Sequence, residues 1–246
     1  MKIRIKFRKY GVMKFIGHLD MMRFFQKAMR RAEIDICYSE GFSPHQIMSF
    51  AAPAGVGITS GGEYLDIEVH SSRTSAESLR VLNDVMVEGV EIISYRKLPD
   101  DAKTAMSIVA AAGYTVTIKD GYTFSGSGED LGTEAFRRGL ESFFARPAEV
   151  LVTKQTKKSE KTLDLKKLVY EFRVEERCGR PAFFLMVSTG STDNLKPELV
   201  LEAYFASMGI PWKPEALQIH REDIYARAGV DTPVFVSLGE TGEILI

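Results

Sequence analysis

The segment from Gly17 to His45 contains the residue types best suited to chemistry. It places two of the four histidines, His18 and His45, in the same stretch as the acid Asp20 and the cation Arg23. Imidazole changes charge near neutral pH and transfers protons, while nearby cations attract polyanions. These residues predict a general acid–base or polyanion-binding site. The ordinary alternative is a surface Asp–Arg pair on a helix and a histidine that only completes a turn.

Helical spacing supports this interpretation for residues 18–33. One predicted face is apolar and consists of Leu19, Met22, Phe25, Met29 and Ala32. The other face begins with an acid and continues as a basic stripe, made of Asp20, Arg23, Lys27, Arg30 and Arg31. Asp20 falls in the first turn, where a carboxylate meets the positive end of the helix dipole.

A loop follows this helix and contains Tyr38, Ser39, Gly41, Phe42, Ser43, Pro44 and His45. Gly41 can adopt positive φ, and Pro44 restricts Ser43 to extended conformations. Together these two residues fix the direction in which His45 points. The alternative is ordinary turn chemistry.

These motifs resemble a known family, the radical-SAM-associated bacterial domain of unknown function, also described as radical SAM-linked proteins. The first half of the match consists of His18-Leu19-Asp20, Arg23, Tyr38-Ser39-x-Gly41-Phe42-Ser43-Pro44-His45, Pro53-x-Gly55-x-Gly57 and Glu63-Tyr64-Leu65-Asp66. The second half consists of Lys157-Lys158, Leu163-Asp164, Gly190-Ser191, Asn194-Leu195-Lys196-Pro197-Glu198 and Arg221. The chain departs from the family at Lys196, where arginine is more common. This departure weakens the case for bidentate anion binding there.

The resemblance implies a context and a set of substrate-binding residues, but no settled reaction. The implied partner is a radical SAM protein, since the family occurs beside such enzymes or as their C-terminal part. The candidate substrate-binding residues are Asp20, Arg23, Tyr38, Ser39, Gly41, Phe42, Ser43, Pro44, Lys157, Lys158, Asp164, Asn194, Lys196 and Arg221. His18 and His45 are the candidates for catalysis.

Cysteine usage bears on the cofactors. The 246 residues include only two cysteines, Cys37 and Cys178, with no C-x-x-C pair. We therefore expect no zinc site and no iron–sulfur cluster on this chain, and place the cluster and SAM on a partner protein. No apolar run approaches a membrane span and the start lacks a signal peptide, which predicts a cytoplasmic protein without membrane contact.

Hydrophobic periodicity predicts an α+β fold of two ferredoxin-like (split βαβ) units with antiparallel sheets. The N-terminal domain, 1–102, has strands at 2–9, 46–51, 63–70 and 89–97 and helices at 18–33 and 74–88. The C-terminal domain, 103–246, has strands at 107–119, 149–153, 168–176, 181–188 and 217–225 and helices at 133–145 and 196–208. Pro99-Asp100-Asp101 marks the junction.

Charge is balanced overall, with a formal net charge of −1, so a nucleic-acid role requires local basic patches. Alternation on the first strand predicts a basic strip of Lys2, Arg4, Lys6 and Arg8. The polar segment 154–164 predicts a basic surface hairpin or arm, and Asn194 is a candidate cap for the following helix. The glycine-rich stretch 53–62 is a weak candidate for a phosphate cradle.

Three functions follow from these features. The first is an accessory or substrate-recognition module that acts with a radical SAM enzyme and binds RNA or a ribosome-related substrate. The second is a metal-independent RNA-processing enzyme that uses His18 or His45 for acid–base chemistry. The third is a protein–protein adaptor whose charges only solvate its surface. Sequence alone leaves the reaction, the substrate and the oligomeric state open.

Overall fold

A computed structural model describes residues 1–126, 129–145, 149–155, 160–190, 193–229 and 234–246. Its contacts divide the chain into two compact units. Unit 1 comprises Met1–Ala111 and Arg221–Ile246, and unit 2 comprises Ala112–His220. These limits differ from the predicted domains 1–102 and 103–246, because residues 221–246 cluster with the N-terminal part of the chain.

Unit 1 begins with the predicted order of strands and helices. Its elements are β1 (Lys2–Lys9), α1 (His18–Arg31), β2 (Met48–Phe50), β3 (Thr59–Glu68), α2 (Ser75–Asn83), β4 (Val90–Lys97) and the short α3 (Ala105–Ile108), with a 3-10 turn at Gly11–Phe15. β1 lies between β3 and β4 and pairs antiparallel with both, while β2 pairs antiparallel with the second half of β3. The strand order is therefore β4-β1-β3-β2.

Unit 2 has a comparable arrangement with two additional pairs of antiparallel strands. Its elements are β5 (Val109–Ile118), β6 (Ser125–Gly126), β7 (Glu129–Asp130), α4 (Thr133–Ala145), β8 (Leu151–Gln155), β9 (Glu160–Asp164), α5 (Leu165–Leu168), β10 (Val169–Arg177), β11 (Arg180–Ser188), α6 (Pro197–Ser207) and β12 (Leu217–Ala228), with a 3-10 turn at Pro214–Ala216. Its main strand order is β10-β11-β5-β12, while β6 pairs with β7 and β8 pairs with β9 as two separate two-stranded sheets of the described residues. The chain enters unit 2 within β5 and leaves it within β12.

The chain ends in unit 1. There, β13 (Val234–Ser237) pairs antiparallel with β12 and is followed by a 3-10 turn at Leu238–Glu240. β12 also pairs with β3. The structure is thus α+β with mostly antiparallel strands. Among the described residues, no helix is both long enough and apolar enough to cross a membrane.

Alternating apolar residues explain how β1 forms and where the core of unit 1 lies. Ile3, Ile5 and Phe7 are almost completely buried and pack with Phe25 and Met29 of α1. Unit 2 has its own aromatic core, which includes Phe136, Phe183, Tyr204 and Phe205. Each unit therefore has the apolar interior that an independent compact body requires.

The basic side of β1 does not form the solvent-exposed strip predicted from its alternation. Arg4 is 3% exposed and its Nε and Nη2 donate to the two carboxylate oxygens of Asp66 at 2.8 and 3.0 Å. Lys6 Nζ donates to Asp223 Oδ2 at 2.9 Å. The prediction failed because these acids lie on β3 and β12, and adjacency along β1 does not reveal them.

Candidate functional site

Helix α1 presents its cations to solvent. Its buried residues are Met21, Phe25, Ala28 and Met29, so the apolar face is turned slightly from the predicted one and Leu19 is 62% exposed. The exposed residues include Asp20, Arg23, Lys27, Arg30 and Arg31. Asp20 and Arg23 form an ion pair of 3.2 Å in which both side chains are largely exposed. Such pairs contribute little to stability, and Arg23 is free to exchange this partner for a ligand.

A loop follows α1, and we call residues 38–46 the 38–46 loop. Its base is closed by a β-bridge between Tyr38 and Gln46 and by the Ser39 N–H, which donates to the His45 carbonyl at 2.8 Å. Gly41 has φ of +108°, a value that favours glycine. The tip of the loop, residues 40–45, is exposed, and Phe42 has no burial at all.

Gln46 attaches this loop to α1. Its Nε2 donates to the Gln26 carbonyl at 3.3 Å and to the Tyr38 hydroxyl at 3.4 Å, and the side chain is 5% exposed. Gln26 lies beside Lys27 and one turn from Arg23 and Arg30. The base of the loop, with the half-exposed Tyr38, is thereby attached to the helix that carries the basic stripe. Sequence reasoning missed Gln46, because nothing in its spacing distinguishes it from a solvated glutamine.

His45 is fixed within the loop by Ser39. Ser39 Oγ lies 2.8 Å from His45 Nδ1 and also accepts the His45 backbone N–H at 3.1 Å. These contacts orient the imidazole and leave its Nε2 available at an exposed position. Ser39 itself is half-buried. Ser43 and Pro44 are exposed at the tip of the loop.

His18, unlike His45, does not belong to the 38–46 loop. Its ring meets Phe50 edge-on, with centroids 5.3 Å apart, and it lines a small cavity with Lys9 and Glu63. The cavity volume is about 10 Å³, which is at the lower limit for holding one water. His18 is nonetheless exposed at the start of α1, so its ring both contacts Phe50 and remains accessible to solvent.

Arg221 is buried at 2% exposure and is paired with Glu63, to which its Nε donates at 2.9 Å. The other oxygen of Glu63 accepts the Ala54 N–H at 3.2 Å. Burial lowers the pKa of the neighbouring Lys9; Glu63 opposes this shift and Arg221 adds to it. Arg221 and Glu63, both motif residues, therefore join β12 to β3 and the glycine-rich stretch inside unit 1.

The glycine-rich stretch 53–62 uses its backbone donors within the protein. The Ala54 N–H is bound by Glu63, and the Gly57 N–H donates to the Lys14 carbonyl at 2.8 Å. A phosphate cradle needs open N–H groups that converge on one point. The contacts of Ala54 and Gly57 give this stretch a connecting role.

The candidate site residues in the second half of the chain lie on different elements. Lys157 and Lys158 lie outside the described residues. Asp164 caps α5: desolvation raises its pKa, but hydrogen bonds from the Lys166 and Val150 N–H groups and from Lys167 hold it below the ordinary value. Asn194 and Lys196 are exposed. Lys196, rather than Asn194, is the N-cap residue of α6, and its side chain makes no capping hydrogen bond.

The described residues contain no group of three or more His, Cys, Asp or Glu side chains that could hold a metal ion. The most developed surface is formed by α1 and the 38–46 loop, which combine exposed cations with exposed aromatic rings. The fold and this surface define an α+β protein with a candidate polyanion-binding face.

The chain belongs to a bacterial family whose description is "Uncharacterized protein conserved in bacteria (DUF2344)", and the match covers residues 2–197. A comparison with curated proteins finds no match. Among solved structures, the chain is similar to the crystal structure of an unknown protein from Galdieria sulphuraria at 11% identity. That alignment covers 89% of this chain and 97% of the other, but its TM-score of 0.23 does not establish a shared fold.

Proposed function

We propose that this chain is a substrate-recognition or accessory module that acts with a radical SAM enzyme in the cytoplasm and binds RNA or a ribosome-related substrate. In this proposal, the chain binds and positions the substrate and does not catalyse the reaction on its own. The iron–sulfur cluster and SAM belong to the partner, since Cys37 and Cys178 alone fall short of the thiolates that a cluster needs.

The observation that carries the RNA proposal is the surface of α1 and the 38–46 loop. Phe42 is fully exposed and Tyr38 is 49% exposed, on a loop that Gln46 attaches to α1, and α1 exposes the cations Arg23, Lys27 and Arg30. Single-stranded nucleic acids bind to such surfaces, because bases stack on aromatic rings and cations contact the phosphates.

The topology of each unit is consistent with a ferredoxin-like interpretation. In unit 1 the elements β1, α1, β2, β3, α2 and β4 follow the order of a split βαβ, and their strand order is β4-β1-β3-β2. In unit 2, β5, α4, β10, β11, α6 and β12 give the equivalent order β12-β5-β11-β10. This fold hosts many functions, so RNA binding is argued from the surface and not from the topology.

Two binding measurements test the proposal. The first is fluorescence anisotropy of a labelled, unstructured 20-nucleotide RNA titrated with the purified chain, with a blunt RNA duplex for comparison. We expect saturable binding of the single strand and weaker binding of the duplex. The second is co-elution of the chain with a purified radical SAM protein of the same organism. If no saturable RNA binding is observed, the adaptor hypothesis remains. If the chain does not co-elute with the radical SAM protein, the proposed partner is wrong.

The contact between Ser39 and His45 supports a second candidate, a metal-independent RNA-processing enzyme. A fixed and exposed imidazole beside a basic helix is suitably placed for proton transfer to or from an RNA. The test is incubation of labelled RNA with the chain in EDTA. Cleavage that disappears in His45→Ala, but persists in His220→Ala, would establish the enzyme and contradict a purely binding role.

A further inference from the structure

A cavity of about 220 Å³ lies in unit 1 between the end of α1 and the start of α2. We call it the α1–α2 pocket, and its polar lining includes Glu33, Asp35, Ser71, Ser72, Arg73 and Tyr95. Tyr95 is 2% exposed. A cavity of about 10–15 Å³ already holds one water, so this pocket has room for a small organic molecule.

Two of the serine hydroxyl protons around this pocket are committed to acceptors of the protein. Ser71 Oγ donates to Asp35 Oδ2 at 2.7 Å, and Ser72 Oγ donates to the Arg73 carbonyl at 2.9 Å. The Ser72 and Tyr95 hydroxyls lie 3.1 Å apart and share a hydrogen bond. Each hydroxyl oxygen also has acceptor lone pairs, which can receive N–H groups of a ligand.

The charges of the pocket lining also favour a ligand that donates hydrogen bonds. Glu33 and Asp35 supply two carboxylates, against one guanidinium from Arg73. That guanidinium is itself directed at the end of α1, since its Nη1 donates to the carbonyls of Ala32 at 3.1 Å and Glu33 at 3.4 Å. Its distance to the Glu33 carboxylate is 3.8 Å, so this pairing is loose.

Glu33 occupies a strained position at the edge of the pocket. Its φ is +53°, in the left-handed region that follows a helix and that glycine usually fills. The neighbouring hydrogen bonds, Glu33 N–H to Arg30 O and Ile34 N–H to Met29 O, are those of a Schellman motif. A glutamate at this position sacrifices stability, and such strain is common where a side chain has a functional role.

We propose that the α1–α2 pocket binds a small organic cation, with an ammonium or guanidinium group held by Glu33 and Asp35. The hydroxyl oxygens of the lining accept its remaining N–H groups, and Ile34 and the Tyr95 ring contact its carbon chain. This site is independent of the RNA surface on α1.

Isothermal titration of the full chain with three matched four-carbon probes tests this proposal. The probes are 1,4-diaminobutane, 1,4-butanediol and succinate, which are cationic, neutral and anionic, and magnesium chloride is a fourth. We expect saturable binding of the diamine alone. Tighter binding of the diol, succinate or magnesium would overturn the assignment, as would the absence of saturable diamine binding.

Three variants identify the carboxylates. We expect Glu33→Gln and Asp35→Asn each to weaken diamine binding by about tenfold or more, because each removes a charge-assisted hydrogen bond. Glu88→Gln, an exposed acid outside the lining, serves as the matched control. An equal loss in the control would show nonspecific charge attraction and overturn the proposal.

Glu33→Gly separates binding from folding. Glycine relieves the positive φ at this position, so the variant is expected to melt at a higher temperature than the wild type while its diamine affinity falls. Unchanged diamine affinity in this folded variant would contradict the role of the Glu33 carboxylate.

Discussion

At the residue scale, charged side chains of unit 1 divide into two groups with different roles. Arg4, Asp66, Glu63 and Arg221 are buried in ion pairs that hold strands together. Breaking one member of such a pair leaves an uncompensated buried charge, at a cost of roughly 3–5 kcal/mol. The cations of α1 are exposed and remain available to a ligand. Family motif residues therefore include both structural pairs and candidate binding groups.

Phe42 is the residue whose change best tests the RNA proposal. We expect Phe42→Ala to weaken binding of single-stranded RNA by about 1–3 kcal/mol, the usual effect of removing one base–aromatic stack. Its exposure means that the free energy of unfolding stays within about 0.5 kcal/mol of the wild type. Anisotropy and urea denaturation measure the two effects. Phe15→Ala, at an aromatic ring that is 61% exposed outside the 38–46 loop, is the control; an equal loss there would contradict a specific stack.

Lys9 provides a test based on pH. Burial lowers the pKa of this amine, which is 4% exposed, so the folded state disfavours its proton. The unfolded chain binds more protons between the lowered pKa and the ordinary value near 10.5, and wild-type stability therefore rises across that interval. We expect Lys9→Met to be more stable than the wild type at pH 7.

The stability difference between Lys9→Met and the wild type is expected to narrow as the pH approaches 10, as measured by urea denaturation at several pH values. Lys27→Met, at an exposed position on α1, is the control and should show no such dependence. A Lys9→Met variant that is less stable than the wild type at pH 7 would mean that the attraction to Glu63 outweighs desolvation.

At the element scale, strands and helices with a clear period were predictable. The alternation of β1 and the helical spacing of α1 and α4 are local properties of the chain, and these elements lie within a few residues of the predicted limits. Pairings between distant residues were not predictable. Glu63 and Arg221 are 158 positions apart, and the acids that neutralise Arg4 and Lys6 come from other strands. The candidate surface was partly predicted, but its attachment through Gln46 depends on tertiary contact.

The hairpin that joins β10 to β11 offers a prediction at this scale. Arg177 pairs with Arg180, so Cys178 and Gly179 form a two-residue turn, with φ of +52° and +71°. Asn-Gly is strongly preferred in such turns, because asparagine tolerates positive φ better than other residues with a side chain. We expect Cys178→Asn to raise the free energy of unfolding by about 0.5–1 kcal/mol.

Thermal denaturation of Cys178→Asn beside Cys178→Ala distinguishes turn geometry from loss of the thiol. Alanine removes the same thiol but, unlike asparagine, does not favour positive φ, so it brings no gain in stability from the turn. If both variants melt at the same temperature, conformational preference at position 178 does not limit the stability of unit 2.

At the scale of the whole molecule, charge balance constrains any interaction with RNA. The chain has 32 Lys and Arg residues against 33 Asp and Glu residues, so no net positive charge attracts a polyanion from a distance. Several cations are also committed to acids, as at Lys97–Glu243 and Lys161–Asp193. RNA affinity must then depend on a small local set of cations. A small set predicts moderate affinity with a limited dependence on salt.

The size of that salt dependence follows from the number of exposed cations on α1. If Arg23, Lys27, Arg30 and Arg31 each contact a phosphate, a single strand gives a slope of log affinity against log salt of about −2.8, or roughly a 50-fold loss between 50 and 200 mM. Anisotropy titrations across this range measure the slope. Lys27→Gln should reduce its magnitude by about 0.7, since one phosphate contact is lost. Lys213→Gln, at an exposed cation of unit 2, should leave the slope unchanged. A slope near zero would exclude phosphate contacts by α1, and a slope near −6 would require cations well beyond those of this helix.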